Sequence, residues 1–148
     1  MKTTIYNIAF LLIIISFVSC AASSSNFKLG KQYYDEGNFE QAIIELEQSS
    51  KHDSSINDRI SAYEYLGDIY TRKGNLDKAV LSYRNAYDLM QVKIGEIINN
   101  RKELNLAQQG ESYYRSRNTQ EKSKKLYEEL SIIRARAEEL QVKIKNLK

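Results

Sequence analysis

Residues 63–86, YEYLGDIYTRKGNLDKAVLSYRNA, carry the pattern that decides the fold. A glycine and a tyrosine one helical turn apart come first, then a Gly-Asn pair, then a small alanine and a large aromatic residue: Gly67, Tyr70, Gly74, Asn75, Ala79 and Tyr83. Gly and Asn both tolerate positive φ, so the Gly-Asn pair predicts a turn. A small residue followed one turn later by a large one suits a crossing of two helices. The stretch therefore predicts a helix–turn–helix unit.

The same spacing occurs at three places in the chain. The three copies of Gly-x-x-Tyr are Gly30-Tyr33, Gly67-Tyr70 and Gly110-Tyr113. Eight residues after each glycine stands an asparagine (Asn38, Asn75, Asn118), and sixteen residues after it a large apolar residue (Leu46, Tyr83, Leu126). The first copy also keeps the small residue, Ala42, whereas the third has Arg117 in place of the turn glycine and Lys122 in place of the alanine. We therefore expect two good repeats and one degenerate repeat.

This pattern resembles the tetratricopeptide repeat, a helix–turn–helix unit of about 34 residues. The resemblance implies an all-α helical-repeat solenoid over residues 27–148, with repeats at about 23–56, 60–93 and 103–136. The glycines lie further apart than in that family. We expect the first excess to form a longer loop at residues 51–58, and the second to lengthen one helix to residues 77–108. The chain contains no Pro to end that helix.

A coiled-coil seam follows in the C-terminal helix. Apolar residues alternate spacings of four and three: Leu126, Leu130, Ile133, Ala137, Leu140, Ile144 and Leu147. A similar stripe precedes it: Met90, Ile94, Ile97 and Leu104. We expect the two helices to pack antiparallel within one chain. A homodimeric coiled coil through the C-terminal helix is the alternative.

Residues 1–19 read as an export signal. Lys2 gives a positive start and residues 8–18 an apolar run that spans about 16 Å as a helix, roughly half of a bilayer core. A cleaved leader is therefore favoured over a permanent membrane span. The sequence Phe17-Val-Ser-Cys20 resembles a lipobox, which implies cleavage before Cys20 and lipidation of its thiol. An ordinary secretory signal cut after Ala21 or Ala22 is the alternative.

The lipobox resemblance implies a lipoprotein of the bacterial cell envelope. Residues 20–26 would form the lipidated cysteine and a small, polar, flexible tether. Ala21 is not the Asp with which enteric bacteria retain lipoproteins at the inner membrane, so the outer membrane is favoured. The sequence does not distinguish the periplasmic face from the cell surface.

The composition argues against a catalytic, metal or cofactor site. One Cys and one His cannot build the usual zinc or multi-histidine sites, and no phosphate-binding or dinucleotide motif occurs. A net charge of +3 is too small to favour nucleic-acid binding, although residues 27–100 carry −3 and residues 101–148 carry +5. A solvated, charged helix surface is the favoured interpretation of that polarity, and steering of an acidic partner or an anionic membrane toward the C-terminal part is the alternative. We expect no enzymatic activity, cofactor, metal or nucleic-acid partner; the covalent lipid on Cys20 is the exception.

Binding to another protein is the class of function that these observations leave open. In the tetratricopeptide family the first helix of each repeat lines a concave groove. Carried over, the groove positions are Phe27, Lys31, Tyr34, Asp35, Glu64, Asp68, Thr71, Arg72, Glu111, Tyr114 and Arg115. We therefore expect a non-catalytic scaffold that holds another envelope protein, similar to the repeat lipoprotein of the outer-membrane β-barrel assembly machinery. A surface-exposed lipoprotein that binds a host or environmental ligand is the alternative.

Overall fold

The computed structural model describes residues 26–108 and 113–147, with side chains at 26–104 and 118–147. It contains five helices and, in these ranges, no strand, which confirms the all-α class. The helices are α1 (Asn26–Asp35), α2 (Phe39–His52), α3 (Ile56–Arg72), α4 (Leu76–Gln108) and α5 (Tyr113–Asn146). Each helix packs on the next one along the chain, and α1 also contacts α3.

The turns after α1 and α3 are built alike. Gly37 and Gly74 have φ of 76° and 72°, the left-handed conformation that glycine adopts without strain. In each turn the following asparagine donates its backbone N–H to the carbonyl of a tyrosine, Tyr33 or Tyr70, at 2.9 Å. The asparagine side chain then accepts a hydrogen bond from the first turn of the next helix. One local signal thus ends a helix and begins the next.

Gly30 and Gly67 allow the paired helices to touch. A Cβ at Gly30 would lie 2.8 Å from Cγ of Leu46, and a Cβ at Gly67 would lie 2.4 Å from the ring of Tyr83. Leu46 is fully buried and Tyr83 is 3% exposed. The helices of each pair therefore approach closely, and Ala42 and Ala79 are completely buried where the predicted helix crossings lie.

Helices α4 and α5 form a long antiparallel pair. Contacts run in opposite directions along the two helices, from Tyr87–Gln141 through Lys93–Glu129 to Arg101–Tyr127. Leu130, Ile133, Ala137 and Leu140 of the predicted seam are buried, as are Met90, Ile94 and Ile97 of the opposing stripe. The helix predicted at 77–108 is confirmed within one residue. Leu126, Ile144 and Leu147 of the seam are partly buried.

Two sequence expectations do not hold in the structure. The loop predicted at residues 51–58 is short, because α2 continues to His52 and α3 already begins at Ile56. Ser55 caps α3 by accepting the backbone N–H of Asp58, so the polar residues extend the helices instead of the loop. The third repeat does not turn near Asn118, because α5 runs unbroken through that position. Without a glycine at position 117, nothing in the sequence favours the left-handed turn there.

Candidate functional site

An aromatic cluster joins α1, α2 and α3. The ring of Tyr65 lies 4.8 Å from that of Tyr34 in an edge-to-face contact and 6.0 Å from that of Phe27. Tyr34 also contacts Phe39, at 5.9 Å between ring centroids. All four side chains are partly exposed. The cluster therefore stabilises the packing of α1 on α3 and still presents aromatic surface.

A cation caps this cluster at one end. The guanidinium of Arg72 lies 5.3 Å from the ring centroid of Tyr34 and 5.7 Å from that of Phe39. These distances fit cation–π contacts, which favour Arg over aromatic faces. Three of the predicted groove residues, Phe27, Tyr34 and Arg72, thus belong to one contact network.

Helix α5 forms the opposite wall through two ion pairs. Arg136 lies 2.5 Å from the carboxylate of Glu64, and the ammonium of Lys143 lies 3.5 Å from that of Asp68. Both partners are at least one-fifth exposed in each pair, so solvent screens them in part. The order of the pairs places α5 parallel to α3. The predicted groove acids Glu64 and Asp68 are therefore neutralised by residues of the same chain.

Tyr83, on α4, contacts one of these acidic residues. Its hydroxyl donates to Oδ1 of Asp68 at 2.5 Å. Burial of the phenol, followed by its hydrogen bond with Asp68, raises the pKa of Tyr83 above its ordinary range. The tyrosine therefore stays protonated and holds the Asp68 carboxylate that also faces Lys143.

Between these walls lies an open cleft of about 370 Å³. Its lining combines aromatic, acidic and basic side chains: Phe27, Ser61, Glu64, Tyr65, Asp68, Arg136, Glu139, Leu140 and Lys143. A cleft that combines aromatic rings with charges of both signs suits a charged peptide segment better than a small uncharged molecule. We call this cleft the groove.

The remaining predicted residues divide into three groups. Lys31 and Asp35 form an exposed pair at 2.5 Å on α1, and the hydrogen bond to Asp35 raises the pKa of Lys31. Thr71 donates its hydroxyl to the Gly67 carbonyl at 2.8 Å. Cys20 and Glu111 lie outside the described residues, and Tyr114 and Arg115 belong to α5 at positions whose side chains are not described.

Sequence reasoning did not predict several residues of the aromatic cluster and the groove lining: Phe39, Ser61, Tyr65, Glu139, Leu140, Arg136 and Lys143. A signal for the last two existed, since each directly precedes a seam residue and they lie seven residues apart. Residues seven apart share a face of a helix. Their acidic partners on α3 are more than seventy positions away in the sequence, so only the packing of α5 could identify them.

Comparisons with known proteins give no relative. No family model matches the chain, and neither the curated proteins nor the solved structures contain a match. Among the described helices, none is long and apolar enough to cross a membrane. Within the same residues no group of three His, Cys, Asp or Glu side chains could hold a metal ion.

Proposed function

We propose that this chain is a lipid-anchored, non-catalytic adaptor of the bacterial cell envelope with tetratricopeptide-like repeats. It binds a segment of another envelope protein in the groove and acts in the assembly of outer-membrane proteins. Cys20 carries the lipid that holds it at the membrane. The observation that carries the proposal is the equivalence of the two helix pairs, which places α1 and α3 side by side as one wall of a groove.

That equivalence extends to single contacts. A shift of 37 residues converts Gly30 packed on Leu46 into Gly67 packed on Tyr83. The same shift converts the Gly37 turn into the Gly74 turn, with hydrogen bonds of equal length. Two units built by the same rules stack with their first helices adjacent, as in repeat proteins whose concave face binds peptides. The contact of α1 with α3 supports this stacking.

The groove offers the two features that peptide capture requires. Phe27 and Tyr65 provide partly exposed rings against which an apolar side chain of the partner can pack. Around them, Glu64 and Asp68 are held by ion pairs whose members are partly solvated. A charged partner segment would exchange these intramolecular pairs for intermolecular ones at little electrostatic cost. The pairs also keep the empty groove from presenting an uncompensated acidic surface.

Site-specific photo-crosslinking in cells tests the proposal. A photoreactive amino acid replaces Glu139, which lines the groove and has a side chain 68% exposed. The matched control carries the same group in place of Ile44, which is 52% exposed on α2 and outside the groove lining. We expect a discrete crosslink to an envelope protein from position 139 and none from position 44, with mass spectrometry identifying the product.

The outcomes separate the alternatives. Recovery of an outer-membrane assembly protein from position 139 supports the adaptor. Equal crosslinking from position 44 contradicts the groove. Protease digestion of the chain on intact cells, together with a crosslink to an external ligand, would instead favour a surface-exposed binding lipoprotein. Mass spectrometry of the mature N-terminus tests the anchor, and an unlipidated start at Ala22 or Ser23 would remove it.

A further inference from the structure

Part of the α4–α5 pair projects beyond the rest of the fold. Asn57, in the first turn of α3, accepts a hydrogen bond from the ammonium of Lys93 at 2.5 Å. Lys93 therefore marks the level at which α3 begins, yet α4 continues to Gln108. At 1.5 Å per residue this extension is about 22 Å long. On α5 the same level is marked by Glu129, which pairs with Lys93 at 2.6 Å. We call residues 94–108 and 113–128 the arm.

The arm points toward the end of the fold at which the N-terminal segment joins it. Helix α1 lies parallel to α3, because Phe27 contacts Tyr65 while Tyr34, seven residues on, contacts Arg72. The backbone N–H of Phe27 also donates to Asp53, just before α3, at 3.3 Å. The residues before Asn26, Cys20 among them, therefore connect to the end from which the arm extends.

The arm has the reach to meet a membrane held at Cys20. Residues 20–25, Cys20 included, precede α1, and six residues span at most about 20 Å. The arm extends about 22 Å past the start of α3 in the same direction. A bilayer within reach of the tether is thus within reach of the arm.

The outer half of the arm is basic, unlike the rest of the fold. Residues 101–125 contain seven Lys or Arg and three Asp or Glu, whereas residues 27–100 carry a net charge of −3. Lys102, Lys122 and Lys124 are exposed. Lys102 and Lys122 form no ion pair with any residue whose side chain the structure describes. Lys102 and Lys122 lie about 13 Å and about 10 Å along the arm from the level of Lys93 and Glu129, and exposed ammonium groups there attract anionic headgroups.

We propose that the exposed lysines of the arm contact anionic lipid headgroups of the same membrane that holds Cys20. The inference rests on the anchor of the proposed function. Two separated contacts, the lipid and the arm, hold the fold in one orientation, which a flexible tether alone would not do. The groove then stands at a fixed height above the bilayer. An acidic protein is the other conceivable occupant, but nothing about such a partner would require the arm to point toward the anchor.

The test uses the full chain purified from cell membranes with any anchor it carries. The chain is incorporated into vesicles of phosphatidylcholine, or into vesicles with about one-third phosphatidylglycerol, and treated with an amine-acetylating reagent. Mass spectrometry then gives the acetylation rate of each lysine. Lys145 is the matched control, because it is exposed on the same helix at the end away from the arm. Flotation of the vesicles reports anchoring separately.

We expect acetylation of Lys102, Lys122 and Lys124 to slow about fivefold on the anionic vesicles, with Lys145 unchanged. About 0.5 M salt should restore the rates, because screening shortens the reach of surface charge. Substituting Lys122→Glu and Lys124→Glu together should abolish the protection of Lys102, whereas Lys145→Glu should leave it intact.

Failure of the arm and failure of the anchor give different results. A chain that floats with both vesicles but acetylates equally on both keeps its anchor and overturns the arm contact. A chain that floats only with anionic vesicles and shows protected arm lysines overturns the anchor and supports the contact. Flotation with neither overturns both. Protection by soluble polyglutamate but not by anionic vesicles would assign the arm to an acidic protein and overturn the lipid proposal.

Discussion

The two helix pairs, α1–α2 and α3–α4, share a scaffold but differ in the residue that fills it. In the first pair Leu46 packs on Gly30; in the second Tyr83 packs on Gly67. Leucine contributes only apolar contact. Tyrosine adds a hydroxyl, which donates to Asp68, and Asp68 in turn faces Lys143 of α5. Tyr83 therefore fills the crossing of α3 and α4 and also links this pair, through Asp68, to Lys143 of α5.

This difference shows how a repeat can keep its geometry and still gain a new connection. The side chain that packs on the glycine, Leu46 or Tyr83, must fill the space at the helix crossing, and both side chains are large enough to do so. A buried hydroxyl also requires a hydrogen-bond partner, and Asp68 satisfies it. The second pair thereby fixes an acidic groove residue in place, which the first pair has no means to do.

The largest expected effect comes from adding one methyl group at each glycine. Gly67→Ala places a Cβ 2.4 Å from the ring of Tyr83, which is rigid and enclosed. Gly30→Ala places a Cβ farther from its neighbours, 2.8 Å from Cγ and 3.1 Å from the backbone N of Leu46. We expect a loss of about 3 kcal/mol in the free energy of unfolding for Gly67→Ala and about 1 kcal/mol for Gly30→Ala. Urea denaturation followed by circular dichroism measures both.

Gly95→Ala is the matched control for that comparison. Gly95 lies within α4 and a Cβ there would meet no atom within 4 Å. The substitution should therefore stabilise the protein by up to about 1 kcal/mol, since alanine favours helices over glycine. Equal losses at Gly30 and Gly67 would mean that the two crossings do not differ as the structure describes.

Local patterns were sufficient to predict the crossings. Gly67, Ala79 and Tyr83 act through neighbours within one helical pair, and their spacing alone indicates which residues meet. The length of α4 was predictable for the same reason, since no residue in that stretch ends a helix. Helix capping at Ser55 is equally local, but polar residues occur in loops and in helix caps alike, so the sequence does not distinguish the two there.

The groove depended on contacts that no local pattern contains. Glu64 was expected to face a free groove, but Arg136 of α5 reaches it. The degenerate third repeat concealed this arrangement, since a turn near Asn118 would have directed the chain elsewhere. The residues that face α3 depend on whether α5 is one helix or two. It is one helix, because Arg117 stands where the other two repeats have their turn glycine.

A smaller effect is expected from removing the hydroxyl that distinguishes the second pair. Tyr83→Phe keeps the ring against Gly67 but leaves Asp68 with one donor fewer. We expect a loss of about 1 kcal/mol at neutral pH, measured by urea denaturation, because a hydrogen bond to a charged group is lost while packing is kept. The control is Tyr127→Phe, whose ring is half exposed on the arm and should change stability far less. A neutral result at Tyr83 would remove the proposed connection.

Alkaline pH sharpens the same test. The pKa of Tyr83 is raised in the folded protein, whereas in the unfolded chain it ionises near its ordinary value of 10. The folded state therefore binds more protons above pH 10, so its stability is fully present below that pH and falls as the pH rises. Tyr83→Phe should fall less steeply in that range. Other groups titrate in both proteins, so the difference between the two curves is the quantity to compare.

The smallest effect is expected at the exposed ion pair between Glu40 and Lys73, which joins the first pair to the end of α3. The hydrogen bond from Lys73 lowers the pKa of Glu40, so any contribution exists above the ordinary value of 4.5 and is lost as the pH falls. Solvent screens both side chains. Glu40→Gln should therefore leave the urea midpoint at pH 7 unchanged within error. A shift as large as that of Tyr83→Phe would show that surface charge, and not the residue filling the crossing, connects successive helix pairs.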